Sequence, residues 1–177
     1  AGWTQRWRCL HWTAPGAGAA WTYTHDSNSW IVYEGTGIGR GSRMGSNALG
    51  NLKVNLDSTA DIFAHPRLNL DGQLIVQGGT FRPDGNATLY LGGHFTHAGG
   101  VVDYVSVGTG TLRLTGTSSQ TVSLLPGSSF MSFSIDSSSE VRATAALNVR
   151  GLFNVERGTF AAGALTHALG GDLRIGP

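Results

Sequence analysis

Residues 57–81 recur 79 positions later as residues 136–160, with ten of the 25 aligned positions identical. The identities are Asp57/Asp136, Ser58/Ser137, Ala64/Ala143, Leu68/Leu147, Asn69/Asn148, Gly72/Gly151, Val76/Val155, Gly79/Gly158, Thr80/Thr159 and Phe81/Phe160. Unrelated segments of this length share about two identities at ordinary residue frequencies. The chain is therefore built from repeated units. A unit that cannot bury its apolar face alone must stack on its neighbours, so the repeat narrows the fold more than any motif narrows the chemistry.

Short apolar runs fill the region from about Asn47 onward. Leu52-Lys53-Val54-Asn55-Leu56, Leu89-Tyr90-Leu91, Leu112-Arg113-Leu114, Phe133-Ser134-Ile135 and Leu147-Asn148-Val149 all alternate apolar with polar residues. Period two means strands with one buried and one wet face. No long stretch keeps a helical spacing, so almost no helix is expected. The 27 glycines and the low charged fraction of 13% suit short strands joined at tight corners.

A longer beat runs through the strands. Leu52, Leu74, Phe95, Leu112, Phe133, Phe153 and Leu173 lie 22, 21, 17, 21, 20 and 20 residues apart. This predicts an all-β parallel β-helix, or β-solenoid, of about seven coils. Roughly four coils would make one large repeat. Strands would pair with their counterparts one turn above and below, about 4.8 Å away. A sandwich or an antiparallel barrel also tolerates the alternation, but neither explains a duplicated block in register.

The first 46 residues differ in kind. They hold all five tryptophans, Trp3, Trp7, Trp12, Trp21 and Trp30, together with Tyr23 and Tyr33. We divide the chain into a Trp-rich capping or contact segment, residues 1–46, and a solenoid, residues 47–177. The solenoid copies span about 47–125 and 126–177, the second incomplete. Spacings of 4, 5, 9 and 9 between tryptophans fit no single periodic face. A cap that covers the apolar end of a solenoid explains them best. Trp3, Trp7 and Trp12, near a terminus, are expected at a subunit contact. Trp21, Trp30 and Tyr33 are the candidates for stacking on sugar rings. The run Gly35 to Gly41 lacks the Gly-Lys-Ser/Thr of a phosphate loop and reads as a connector.

Charge excludes one class of partner. The net charge is +1, and the eleven arginines and Lys53 form no dense basic stripe, so nucleic acid is not expected. No apolar run reaches membrane-span length. Cys9 is the single cysteine, so no intrachain disulfide can form, and it reads as a small buried hydrophobe.

The candidate chemistry is sparse. His94 and His97 stand three apart on a strand, so they point to opposite faces and are expected at the surface or a corner, sharing no metal. The other histidines have no Cys or carboxylate spacing that suggests zinc. Asp57/Asp136 and Asp61/Glu140 recur at equivalent positions. Paired carboxylates can serve acid–base catalysis in a groove, but Asp-Ser at a corner also hydrogen-bonds the turn. Recurrence in both copies favours the bend. No catalytic residue, metal or cofactor is expected, and the chain reads as a non-enzyme.

The segment Gly108-Thr109-Gly110-Thr111-Leu112-Arg113-Leu114-Thr115-Gly116-Thr117-Ser118-Ser119-Gln120-Thr121-Val122 resembles a recurring phrase of large bacterial surface proteins. So do Phe133-Ser134-Ile135 and the stretch from Leu147 to Phe160. The resemblance covers roughly residues 47–177. It is to right-handed parallel β-helices of secreted adhesins, autotransporter-like passengers and surface fibres. It implies an extracellular or bacterial cell-surface location and supplies no catalytic residues. Leu173, Arg174 and Ile175 read as an open strand edge, and an open edge recruits another strand. The expected partner is a second copy, joined head to tail through the N-terminal end, which yields a filament. The alternatives are an adhesin or carbohydrate-binding module using Trp21, Trp30 and Tyr33, and a polysaccharide lyase or hydrolase using Asp57 or Asp136.

Overall fold

A computed structural model describes residues 3–8, 11–13, 22–24, 29–35, 50–56, 61–64, 67–83, 86–103 and 109–176. Every regular element among them is a strand, and no helix occurs. The strands form three parallel ladders, which we call faces A, B and C.

Face A stacks Trp30–Gly35, Asn51–Leu56, Leu74–Gly78, Phe95–His97 and Gln120–Ser123, then residues 140–142 and 159–161. Face B stacks Arg67–Leu70, Thr88–Leu91, Thr111–Leu114, residues 132–135 and 153–155, and Leu173–Ile175. Face C stacks Asp61–Ala64, Thr80–Pro83 and Val101–Val102, and continues through the bridges Asp103/Ser129 and Phe130/Val149 to Ala168–Leu169. The chain visits C, B and A in that order and makes about five turns, fewer than the seven that the beat suggests. Two long strands, Ser132–Ala143 and Phe153–Ala161, bend round the corner from B to A.

The stacking of residues about twenty apart is borne out, with one correction. Ile31, Leu52, Leu74 and Phe95 are register partners on face A. Leu68, Leu89, Leu112, Phe133, Phe153 and Leu173 are register partners on face B. The single column read from the sequence is therefore two. The 17-residue step from Phe95 to Leu112 is where the beat crosses from A, by way of C, to B without completing a turn.

The 79-residue similarity is likewise not a repeat of position. Three turns carry the chain from Asp61–Ala64 to residues 129–130 on the same face C, and two further faces bring it to residues 140–143 on A. Leu74–Gly78 on A corresponds to residues 153–157, which begin on B. Each strand phrase thus reappears one face round the prism, where an inward-pointing apolar pair meets the same kind of core.

That core is closed by five phenylalanines. Phe95 from face A packs on Phe130 from C, with ring centroids 5.4 Å apart at 65°. Phe130 stacks on Phe133 from B at 5.4 Å and 23°, and Phe133 meets Phe153 at 5.3 Å. Phe153 turns its edge to Phe160 from A at 5.1 Å and 87°. The rings tie three walls together, in the offset and edge-on geometries that aromatic quadrupoles favour.

The B-to-A corner is paved with glycine. A Cβ on Gly92 would stand 2.5 Å from the Asp71 carbonyl oxygen, and one on Gly93 2.5 Å from that of Gly72. Consecutive turns approach so closely there that only glycine fits. Side-chain amides bond the turns together beside this column. The Asn51 amide donates to the Ser29 carbonyl at 3.0 Å, and its oxygen accepts the Gln73 N–H at 2.8 Å. Buried Gln120 accepts the Gly116 N–H at 2.9 Å and donates to the carbonyls of Leu91 at 2.9 Å and Gly93 at 2.6 Å.

At the N-terminal end, Trp3–Arg8 pairs antiparallel with Trp30–Gly35. His11–Thr13 and Thr22–Thr24 form a separate antiparallel pair. Parallel stacking reaches back to Trp30, inside the segment assigned to the cap.

Candidate functional site

The outward surface is grooved along the glycine corner, because bare backbone forms its floor while side chains rise on both sides. On the B side, Asn69, Asp71, Tyr90, Thr115 and Thr117 line a groove of about 460 Å³ over Gly92 and Gly116. On the A side, Trp30, Asn51, Asp71, Gln73 and His94 line one of about 330 Å³ over Gly72 and Gly93. Exposed Asp71 borders both.

The register explains this convergence. Asn69 and Tyr90 are partners on neighbouring turns of face B. Trp30 is the partner of Asn51 on face A. His94 is fixed by the Thr121 N–H, which its Nδ1 accepts at 2.9 Å. In the neutral ring, Nε2 therefore carries the hydrogen and is the donor.

Further along face B the outer row turns ionic. Arg113, the register partner of Tyr90, donates through Nη2 to Asp136 at 3.0 Å and through Nη1 to Glu156 at 2.9 Å. Asp136 also meets Arg157 Nε at 3.1 Å, and Glu156 accepts from Asn154 at 2.9 Å. Burial lowers the Arg113 pKa, but its hydrogen bonds to Asp136 and Glu156 and their charges outweigh it and raise the pKa overall. Asp136, a candidate acid in the hydrolase reading, is thus clasped by two guanidinium groups. Glu140 is paired with Arg142 at 2.9 Å. Asp57 lies outside the described residues. Among the described residues, no three His, Cys, Asp or Glu side chains are grouped to hold a metal ion.

His97 corrects an expectation. His94 does stand at the corner, but His97 is 1% exposed and points inward, two positions after Phe95 on Phe95–His97. Its register partner is Val76, which pairs in turn with Val54. His97 donates from Nε2 to the Gly100 carbonyl at 3.2 Å, and its buried Nδ1 has no hydrogen-bond partner. Burial lowers its pKa from the ordinary 6.5, despite the opposing hydrogen bonds to Gly100 and Gly99. The sign of the consequence is fixed. Well above pH about 6.5 neither folded nor unfolded chain protonates this ring, and its contribution to stability is constant. As pH falls below that value the unfolded chain takes the proton first, so the folded state loses stability until its own lower pKa is passed. Urea unfolding at pH 7.5 and pH 5 is expected to show a stability loss in the wild type that is smaller in His97→Phe. Equal losses in the two proteins would remove His97 as the cause.

Tyr33 requires a second correction. It is 4% exposed, inward-facing beside Val54, and its ring is out of reach of a sugar. Trp30 is half-buried and borders the A-side groove. Trp21, Cys9 and the glycine run from Thr36 to Gly41 lie outside the described residues. So do the side chains of Trp3, Trp7 and Trp12, whose backbones run in Trp3–Arg8 and His11–Thr13. Leu173 and Ile175 are 53% and 73% exposed on the last rung, and Arg174 is exposed beside them.

Sequence reasoning missed Asp71 and Tyr90 as groove residues. The alternation of Leu89-Tyr90-Leu91 does signal an outward Tyr90; which neighbours it meets depends on the stacking register.

Comparison with protein-family models, with curated proteins and with solved structures gives no match.

Proposed function

We propose that the protein is an extracellular structural subunit, a right-handed β-solenoid that stacks head to tail into a surface fibre. The extracellular setting and the right-handed winding follow from the resemblance of residues 47–177 to bacterial surface β-helices. The reading needs no catalytic site and no cofactor.

The observation that carries it is the ladder on face B, whose register-paired apolar column runs through successive turns and makes each turn a template for the next. Leu173 continues the column Leu68, Leu89, Leu112, Phe133 and Phe153, and Ile175 continues the neighbouring one, yet both are exposed. Leu165 and Leu169 are also exposed on this end, at 38% and 40%. Covering a side chain of this size contributes about 1.5–3 kcal/mol. The outer edge of Leu173–Ile175 also presents backbone groups to a further strand. The occupant we assign is the N-terminal end of a second copy, where Trp3–Arg8 is the outermost strand of face A. A heterologous contact of this kind does not close, so it propagates.

Electron microscopy and light scattering over a range of concentrations test the reading. Filaments are expected from the wild type, and only monomers from Leu173→Asp/Ile175→Asp with an unchanged far-ultraviolet spectrum. A monodisperse wild-type monomer at every concentration, or filaments that survive the double substitution, would overturn it.

A further inference from the structure

We propose that the glycine-floored corner between faces B and A binds a neutral polysaccharide. This inference goes beyond the fibre reading and does not depend on it.

The shape comes first. Two grooves of about 460 and 330 Å³ share Asp71 as their common border, so they form one interrupted trough along the corner. Each is within the size range of small-molecule sites. The floor cannot be filled by side chains, because a Cβ at Gly72, Gly92, Gly93 or Gly116 would stand within 2.2–2.5 Å of an atom on the turn below. The trough is thus a fixed product of the stacking. It is open rather than enclosed, which suits a segment of a polymer.

The lining chemistry comes second. Trp30 borders one groove and Tyr90 the other. Aromatic rings offer flat apolar faces with a polar edge, which matches the C–H face of a pyranose. Between them stand Asp71, Gln73, Asn69 and the His94 ring, a mixture of planar acceptors and donors suited to neighbouring hydroxyl groups. His94 is already oriented by Thr121.

Charge selects the class of polymer. Among the described residues, Asp71 is the one carboxylate bordering the trough. The adjacent cation, Arg113, is engaged by Asp136 and Glu156. An anionic uronate chain or a nucleic acid would meet Asp71, and among the described residues no guanidinium lines the trough to offset the repulsion. A neutral chain of hydroxyls meets only hydrogen-bonding groups and two ring faces.

Affinity electrophoresis of the full chain tests this, in gels containing a soluble β-glucan, a xylan, a galactomannan or a starch-type α-glucan. Polygalacturonate serves as the anionic probe. At least one neutral polymer is expected to retard the protein. Asp71→Ala and Tyr90→Ala should each weaken retardation about tenfold, the scale of a lost hydrogen bond to a charged group or a lost ring contact. Asp71 is exposed, so its replacement leaves the stack intact even where Trp30→Ala disturbs the first rung. Arg142→Ala, away from the trough, should bind as the wild type does. Leu173→Asp/Ile175→Asp should bind undiminished, which separates this inference from the fibre reading. No retardation by any neutral polymer would overturn the inference. So would retardation by polygalacturonate alone, or wild-type retardation of both Asp71→Ala and Tyr90→Ala.

Discussion

Replacing Phe133 by alanine is expected to lower the unfolding free energy by about 3–5 kcal/mol, the largest single effect at any core position. Phe133 is fully buried and touches three other rings: Phe130 at 5.4 Å, Phe153 at 5.3 Å and Phe160 at 6.5 Å. These rings arrive from all three faces. A solenoid has no second layer that can slide in to fill the space, because each wall is held by hydrogen bonds to the turns above and below. The cavity therefore stays open, and its cost adds to the lost transfer free energy. Phe133→Leu keeps most of the volume and should cost less than about 1.5 kcal/mol. Urea unfolding followed by circular dichroism, with the slope checked for a change in cooperativity, reads both values. A loss below about 1 kcal/mol for Phe133→Ala would mean that the ring is not enclosed as described.

Gln120→Leu is expected to be the second most damaging change, although it swaps one buried side chain for another of similar size. The amide of Gln120 satisfies the Gly116 N–H and the carbonyls of Leu91 and Gly93 at once. Leucine leaves the Gly116 N–H and the Gly93 carbonyl without that partner at a buried corner, while the Leu91 carbonyl keeps the Thr115 N–H. Each orphaned group costs about 1–3 kcal/mol, so a total of roughly 2 kcal/mol or more is expected. The corner has no side chain to substitute, since glycine is the residue that fits there. Thr117→Ala, at an exposed position of the same corner, should change stability by less than about 0.5 kcal/mol. An unaltered unfolding midpoint in Gln120→Leu would show that water reaches the two orphaned groups and replaces the amide.

The sequence made the strand character and the stacking legible because both depend on short-range periodicities. Alternation at Leu112-Arg113-Leu114 or Phe133-Ser134-Ile135 reports which residues face inward, whatever the strand pairs with. The spacing near twenty reports the length of a turn. What it could not report is which of three walls a strand belongs to. All three walls demand the same inward pattern, so the step from Phe95 to Leu112 looked like a short turn when it was an incomplete one. His97 was within reach: its alternation with Phe95 places it inward. The trough was out of reach in a different sense. Trp30, Asp71, Tyr90 and His94 are separated by tens of residues, and only the register of the ladders assembles them. Nothing in their local sequence distinguishes them from other outward polar or aromatic residues.

The one-face offset of the 79-residue similarity bears on how such a rod can lengthen. An insertion need not span a whole number of windings to be accommodated. Adding a third of a winding still supplies a wall with a greasy inside, and everything downstream simply turns by a third of a revolution about the long axis. The interior is indifferent to that rotation; the decoration on the outside is not. The same genetic event that leaves the rod intact would carry its outer markings from one side to another.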